Sequence, residues 1–298
     1  MTSVPQVLHL PSPSEATKWC AEQRARRRTV GNVPTMGALH AGHAALIEQS
    51  VRENDVTCAS IFVNALQFNN PDDLAAYPDT FDDDLKLLYE LGCDMVYTGT
   101  LAEFFPEADD PFSLKQECPS PAGRGLEGDY RPGHLAGVWM IVERLFRTVG
   151  SCRAYFGEKD FQQLQVVTDL AGRMSNSDDL SIEIVPCATV REPDGLALSS
   201  RNVRLEPKWR QRAPSIYQGI QQVQCLWNQG ERNASNLESA ARDILAKNEF
   251  VIDYVAVRNA DQWTADTPTQ LNDSARVLVA VYAGEVRLID NAALQEAD

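Results

Sequence analysis

The stretch Thr29-Val30-Gly31-Asn32-Val33-Pro34-Thr35-Met36-Gly37-Ala38-Leu39-His40-Ala41-Gly42-His43 decides how the rest of the chain is read. Thr29 to Val33 is strand-like, and a helical pattern starts at Ala44. Between them Gly37 and Gly42 let the backbone turn tightly and approach a ligand. The N–H groups that open the helix then face whatever sits there, which favours phosphate. His40 and His43 are spaced so that one helical turn presents both imidazoles on one side. Two imidazoles at such a turn suit stabilising charge on a pentavalent phosphorus and a departing pyrophosphate. The blander alternatives are a turn with two surface histidines and a weak metal pair. The strand–turn–helix setting favours the ligand turn.

Outward from this turn, up to about residue 186, short apolar runs alternate with helix-like segments. Val56 to Val63 reads as a buried strand, with shorter candidates at Asp94 to Tyr97, Ala154 to Phe156 and Ile182 to Val185. Gly42 to Arg52, Asp82 to Leu91, Gly133 to Val149 and Asp160 to Met174 carry apolar residues at helical spacing. This alternation predicts a parallel sheet with helices on both faces, whose ligands sit beyond the C-terminal ends of the strands. After about residue 205 the texture changes. Two helical stretches, Pro207 to Gln229 and Ala234 to Lys247, precede β-branched runs at Val251 to Val257, Arg276 to Tyr282 and Glu285 to Ile289. The reading is α/β: residues 1–186 form the sheet domain and residues 187–298 a smaller α+β domain. Asp109 to Asp129, rich in Pro, Gly and charge, reads as a long loop, a feature often functional in compact domains.

Composition narrows the class. The chain has 298 residues, 44% of them hydrophobic, which is enough for a full core. Its 27 basic and 42 acidic residues give a net charge of −15. That balance argues against a general binder of nucleic acid or membrane surfaces, since both are polyanions. It leaves room for a small anionic ligand held by local cations. No apolar run approaches the ~20 residues that span a bilayer, and Met1 to Leu10 does not read as a leader. The seven cysteines form no C-x-x-C pair, which argues against a zinc site or disulfide framework and fits a cytosolic protein.

Three further segments carry candidate chemistry. In Ser60-Ile61-Phe62-Val63-Asn64-Ala65-Leu66-Gln67-Phe68 the amides Asn64 and Gln67 follow a strand, placed to bind hydroxyl and carboxylate groups, or else only to shape a turn. In Phe156-Gly157-Glu158-Lys159-Asp160-Phe161-Gln162-Gln163, Lys159 opposes the helix dipole unless it meets an anion, and Asp160 can cap the helix. Thr189-Val190-Arg191-Glu192-Pro193-Asp194-Gly195-Leu196-Ala197-Leu198-Ser199-Ser200-Arg201-Asn202 joins a turn signal to two hydroxyls and a guanidinium. That is a phosphate-binding set or an interdomain turn with a salt bridge. Asp82, Asp83 and Asp84 open a helix, where carboxylates match the dipole or hold Mg²⁺. Gly123-Arg124-Gly125-Leu126-Glu127-Gly128 matches G-x-G-x-x-G, but no strand precedes it, so it is no dinucleotide fingerprint. No P-loop sequence is present.

Taken in order, PTMGALHAGH (34–43), SIFVN and QF (60–68), YPDT with DL (77–85), RPGH (131–134), FGEKDFQQL (156–164) and TVREPDGLALSSRN (189–202) resemble the pantothenate synthetase (pantoate–β-alanine ligase) family. That family lies within the nucleotidyl transferases carrying an H-x-G-H signature. The last hundred residues match only loosely. The resemblance implies a Rossmann-like domain, a C-terminal lid and a cytoplasmic homodimer, with ATP, pantoate and β-alanine as small-molecule substrates and no nucleic-acid or membrane partner. It implies a pantoyl adenylate formed with release of pyrophosphate, then attack by the amine of β-alanine with release of AMP. By motif, Met36, Gly37, Ala38, Leu39, His40, Ala41, Gly42 and His43 would line the ATP site, as would Gly157, Glu158, Lys159 and Asp160, and Val190, Leu198, Ser199, Ser200 and Arg201. The catalytic groups would be His43, His40, Lys159 and Arg201. The resemblance implies a proton donor at His43; since a carboxylate nucleophile has no proton to lose, no base is needed in the first step, and His40 and His43 are read as stabilising phosphate charge. Gln67, Gln163, Asn64, Arg131 and His134 would serve the substrates, Arg131 and His134 from a mobile loop. Asp83 and Asp84 fall where the family places Mg²⁺. Ala65 replaces a family proline, which loosens the turn holding Asn64 and Gln67. Ala188 replaces another, and Ala41 a glutamate. The alternative is a related nucleotidyl transferase acting on another small acid or phosphate.

Overall fold

Strand β1 (Leu8–Leu10) opens the chain, followed by helix α1 (Pro13–Ala25), β2 (Val30–Thr35), α2 (Ala41–Glu53) and β3 (Val56–Ile61). After a 3₁₀ turn at Ala65–Gln67 come α3 (Pro71–Ala75), α4 (Phe81–Glu90), β4 (Met95–Tyr97) and α5 (Leu101–Phe104). Then follow α6 (Glu127–Tyr130), α7 (His134–Val149), β5 (Cys152–Gly157), α8 (Phe161–Ser177) and β6 (Ile182–Cys187). These elements come from a computed structural model that describes residues 7–178 and 180–295. The start of the segment read for a leader, residues 1–6, lies outside the described residues. No helix among the described residues is long and apolar enough to cross a membrane.

The six strands form a parallel sheet in the order β1-β4-β3-β2-β5-β6. β2 and β3 are buried along nearly their whole length, as central strands covered on both faces must be. α2 and α4 cover the face carrying Val33, Ala59, Val96 and Tyr155, while α1 and α7 pack on each other and on β2. The chain steps outward from β2 through β3 to β4 on one side and from β5 to β6 on the other. The strand order therefore reverses between β2 and β5, the point where such sheets place ligands. β2 and β3 end level, Thr35 opposite Ile61, so the loops that follow them emerge side by side.

The second compact unit holds α9 (Pro207–Arg212), α10 (Ser215–Asn228), α11 (Ala234–Lys247) and an antiparallel sheet of β7 (Val251–Asn259), β8 (Ala275–Ala283) and β9 (Val286–Ala293). Its core is Ile216, Ile220, Val223, Leu237 and Leu245 against Val255, Val257, Val277, Val279 and Val281. The expected helix from Pro207 to Gln229 is two helices, broken at Ala213-Pro214, where proline removes a backbone donor. Two segments from earlier in the chain, Arg124–Tyr130 and Glu158–Phe161, group with this unit, and the rest of the described residues up to Cys187 group with the first. Buried Glu127 ties the former down: it pairs with Arg287 and accepts the Tyr254 hydroxyl at 2.7 Å. The expected long loop at Asp109 to Asp129 contains 3₁₀ turns at Pro111–Leu114 and Pro121–Gly123 and the start of α6.

In the first unit α7 packs its Gly137 directly on the Ala65–Gln67 turn. A Cβ at 137 would lie 2.3 Å from the Leu66 carbonyl oxygen and 2.6 Å from the Gln67 nitrogen, both backbone atoms. Gly137→Ala is expected to destabilise the protein by about 1–3 kcal/mol, the cost of overpacking. An unchanged thermal midpoint would show that helix and turn slide apart freely.

Candidate active site

The loop from β2 to α2 is held in an unusual backbone shape. Gly37 and Ala38 both have positive φ, 78° and 51°. For alanine that conformation is unfavourable and persists only when the surroundings determine it. Here they do. The Asp84 carboxylate, on α4, accepts the Ala38 N–H at 2.9 Å and the Leu39 N–H at 2.8 Å, and takes the Thr80 hydroxyl at 3.2 Å. Burial pushes the Asp84 carboxyl above its ordinary value, against the pull of those donors.

His40 then caps α2. Its Nδ1 accepts the Gly42 N–H at 3.1 Å, and His43 Nδ1 accepts the His40 N–H at 3.4 Å, a reciprocal capping box built from two imidazoles. The rings lie 4.2 Å apart at 37°. Because each Nδ1 accepts a backbone N–H, a neutral ring carries its proton on Nε2. Ala41 and Gly42 are the first residues of the helix, among its N-terminal backbone donors.

The structure joins this loop to the next motif. Gln67 donates from Nε2 to the Met36 sulfur at 3.2 Å, and its Oε1 accepts Asn64 Nδ2 at 3.0 Å. Asn64 is buried, caps the 3₁₀ turn through the Leu66 N–H and also donates to the Gly137 carbonyl. Thus the turn forms with Ala65 at its first position, and Asn64 supplies the definition that a proline would have brought. His134, buried at the start of α7, meets the Gln67 carbonyl through Nδ1 at 2.9 Å; a carbonyl only accepts, so that nitrogen carries the proton. Lys115 donates to the Leu66 carbonyl at 2.7 Å, and burial lowers its ammonium from the usual lysine range. Arg131 is half-buried just before α7, and Gln163 half-buried in the first turn of α8, beside Gln162, which is tied to the Ala122 carbonyl at 2.8 Å.

Asp83 and Asp84 do not fit as a pair of Mg²⁺ ligands. Consecutive helical residues point about 100° apart, and both carboxylates are engaged otherwise: Asp84 with the loop, exposed Asp83 with Lys86 at 2.8 Å. The Lys86 ammonium, directly hydrogen-bonded, draws the Asp83 carboxyl below its usual range. Among the described residues no group of three or more His, Cys, Asp or Glu could hold a metal ion.

The remaining candidates, apart from Gly157 at the end of β5, belong to the second unit. Glu158, Lys159 and Asp160 form a 3₁₀ turn in which the Lys159 ammonium lies 3.6 Å from the Asp160 carboxylate. Val190 and Leu198 bond to each other, the Leu198 N–H to the Val190 carbonyl at 2.9 Å, so the intervening turn closes on itself. Ser199 caps the following turn by accepting the Arg201 N–H at 3.3 Å, and Ser200 and Arg201 are its first two residues. Arg191 makes a two-pronged pair with buried Asp290 at 2.6 and 2.9 Å and lies over the Tyr217 ring at 3.8 Å. Sequence reading did not find the groups that hold these motifs: Asp84 in its loop role, Lys115, Arg276, Asp290 and Asn291. The Arg-Leu-Ile-Asp-Asn run at 287–291 offered a signal, two polar residues directly after an apolar pair and before Ala292-Ala293.

A sequence model of the family described as pantoate-beta-alanine ligase matches residues 9–293. A curated pantothenate synthetase from Gluconobacter oxydans (strain 621H) is 44% identical over 264 residues, 88% of this chain and 92% of that protein. The crystal structure of pantothenate synthetase from Thermus thermophilus superposes with a TM-score of 0.84 at 38% identity, covering 97% of this chain and all of the other. A pantoate-beta-alanine ligase from Francisella tularensis, solved in complex with beta-gamma ATP and beta-alanine, superposes at 0.78 with 30% identity, covering 98% and 99% of the two chains.

The roles of the two neighbouring aspartates separate by hydrogen exchange. Asp84→Asn keeps the shape but turns an NH₂ toward one loop donor. A bond to a charged acceptor contributes ~1.5–3 kcal/mol, so the Ala38 and Leu39 amides should exchange at least ~10-fold faster. Asp83→Ala should leave them unchanged. Equal protection in Asp84→Asn and the parent would remove Asp84 as the anchor.

Proposed function

Since this chain belongs to the pantoate–β-alanine ligase family, we propose that it condenses pantoate with β-alanine at the expense of ATP, through a pantoyl adenylate. A carboxylate is a poor acylating agent because it would have to expel an oxide. Attack of a pantoate carboxylate oxygen on the α-phosphorus breaks the bond to the β,γ-pyrophosphate and leaves AMP as the leaving group of an acyl adenylate. The β-alanine amine then attacks the acyl carbon, loses a proton, forms the amide and releases AMP.

The observation that carries this reading is the β2–α2 turn. Two imidazoles cap one helix start, each with Nδ1 committed to the backbone, in a loop set by a buried carboxylate. Fixed donors of this kind stabilise developing charge without reorganising during the reaction. On this reading the backbone from Met36 to His43 lines the nucleotide site, and His40 and His43 offer Nε2–H groups to the phosphates. Lys159, Ser199, Ser200 and Arg201 also serve the phosphates. Gln67 and Gln163 hold pantoate; Asn64 and His134 act by holding Gln67, from its amide and its carbonyl, and Arg131 lies in the loop ahead of His134. Mg²⁺ enters as the companion of the ATP phosphates rather than as an ion held by Asp83 and Asp84. We further propose a cytoplasmic homodimer with residues 187–298 as its lid domain.

Purified protein given ATP, pantoate and β-alanine should release AMP and pyrophosphate in equal amounts; ADP and phosphate would overturn the adenylate route. His43→Ala and Lys159→Ala should each slow single-turnover adenylate formation by at least ~10²-fold, the scale of losing one preorganised donor. Near-parental rates would strip those residues of these roles.

A further inference from the structure

Strand β9 carries Asp290 and Asn291 in its second half, both almost fully buried at 4% and 3% exposure. Buried polar groups of this kind must be satisfied, and the partners here come from two motifs far away in sequence. Asn291 Nδ2 donates to two successive carbonyls, Glu158 at 2.9 Å and Lys159 at 2.8 Å. Its Oδ1 accepts from Arg276, whose other branch meets the Glu158 carboxylate at 3.1 Å and whose guanidinium stacks on Phe161 at 4.1 Å. Both amide donors are therefore used on the backbone of one three-residue turn, and its acceptor is used by the cation that grips that turn's first side chain. Asp290 points to the opposite face of the strand and takes Arg191. Its own Oδ1 accepts the Asn291 N–H at 2.7 Å, so the two residues are also locked to each other.

We infer that Asn291 is a positioning residue for the first chemical step: by bonding the carbonyls of Glu158 and Lys159 it fixes the turn that aims Lys159. It touches no reacting atom and works through Lys159. The inference rests on the proposed reaction, in which Lys159 meets the phosphates. A 3₁₀ turn of three residues has little internal definition, so its orientation must come from outside, and Asn291 and Arg276 supply it. Positioning of this kind matters because misplacing a catalytic group by about 1 Å can slow a reaction ~10²-fold.

The test is a double-mutant cycle on the full-length chain. Adenylate formation from ATP and pantoate would be measured in a single turnover for the parent, Asn291→Ala, Lys159→Ala and the double variant. Thermal midpoints would be measured alongside. Asn291→Ala should slow the step at least ~10-fold per folded molecule and leave the KM for β-alanine, which enters later, unchanged. The double variant should be no more than ~2-fold slower than Lys159→Ala, because residues acting as a unit are not additive. A lower midpoint with an unchanged rate, or losses that multiply in the double variant, would overturn the inference. Asn291→Asp keeps the shape but loses both donors, and serves as the second arm if the alanine variant does not fold. Failure of both to fold would make Asn291 a folding residue and would also overturn it. A parent that forms no adenylate would overturn the proposed reaction itself, whereas an active parent with an additive cycle would overturn this inference alone.

Discussion

One buried carboxylate sets the shape of the loop between β2 and α2. Asp84 holds the backbone of Ala38 in a conformation that alanine avoids, and the energy comes from charge-assisted bonds to two successive N–H groups. Everything after it in the loop follows. With Ala38 and Leu39 fixed, His40 reaches the cap position of α2. From there the two imidazoles satisfy helix-start donors reciprocally. With the loop path fixed, Met36 comes against Gln67. The level ends of β2 and β3 supply the frame, but the carboxylate decides which way the loop leaves it.

The second unit solves the same problem from a strand instead of a helix. β9 places an acid and an amide on consecutive residues, so they face opposite sides of the sheet. The acid takes Arg191 of one motif and the amide takes the 158–159 backbone of another. Arg191 and Asp290 form a buried pair. Such a pair is weak grounds for stability but strongly resists removal of one partner, since the other is then left charged and unpaired. Its value here is geometric: Arg191 also reaches the Gly195 carbonyl at 3.2 Å, which ties the Pro-Asp-Gly turn to the sheet.

Much of this was legible beforehand, for a physical reason. β3 is buried along nearly its whole length, so Val56 to Ile61 holds only apolar or small side chains, and α2, α4 and α7 show a helical period. α1 was not recognised, because its buried face is Ala16, Cys20 and Gln23, small or polar side chains with no strong stripe. Its start was nonetheless signalled by Ser12 and Pro13. β1 is too short to carry a pattern. In the proposed site, the motifs point to residues read as facing a ligand but not to those that hold them. Asp84 sits in a run of three aspartates that reads as dipole matching, and only the fold shows that one of the three is buried against a loop. Likewise the bonds of Asn64 to the Gln67 side chain and of His134 to the Gln67 carbonyl come from the fold, with no signal in the sequence.

On the proposed function, such a division between facing and holding residues would let so acidic a chain serve anionic substrates. A net charge of −15 sets up a field that opposes phosphate and carboxylate alike. Long-range steering cannot supply the binding, so it must come at short range from donors already in place. Neutral donors are well suited to this: backbone N–H groups at a helix start carry no net charge for the surrounding carboxylates to cancel. Their effect depends on orientation, which salt does not screen at contact distance. The bonds of Asp84 on the first unit, and of Asn291 with Arg276 on the second, fix the backbone or side chains of those motifs. An acidic protein that binds anions therefore has to commit buried polar groups to geometry, as Asp84 does with the Ala38 and Leu39 N–H groups and Asn291 with the Glu158 and Lys159 carbonyls.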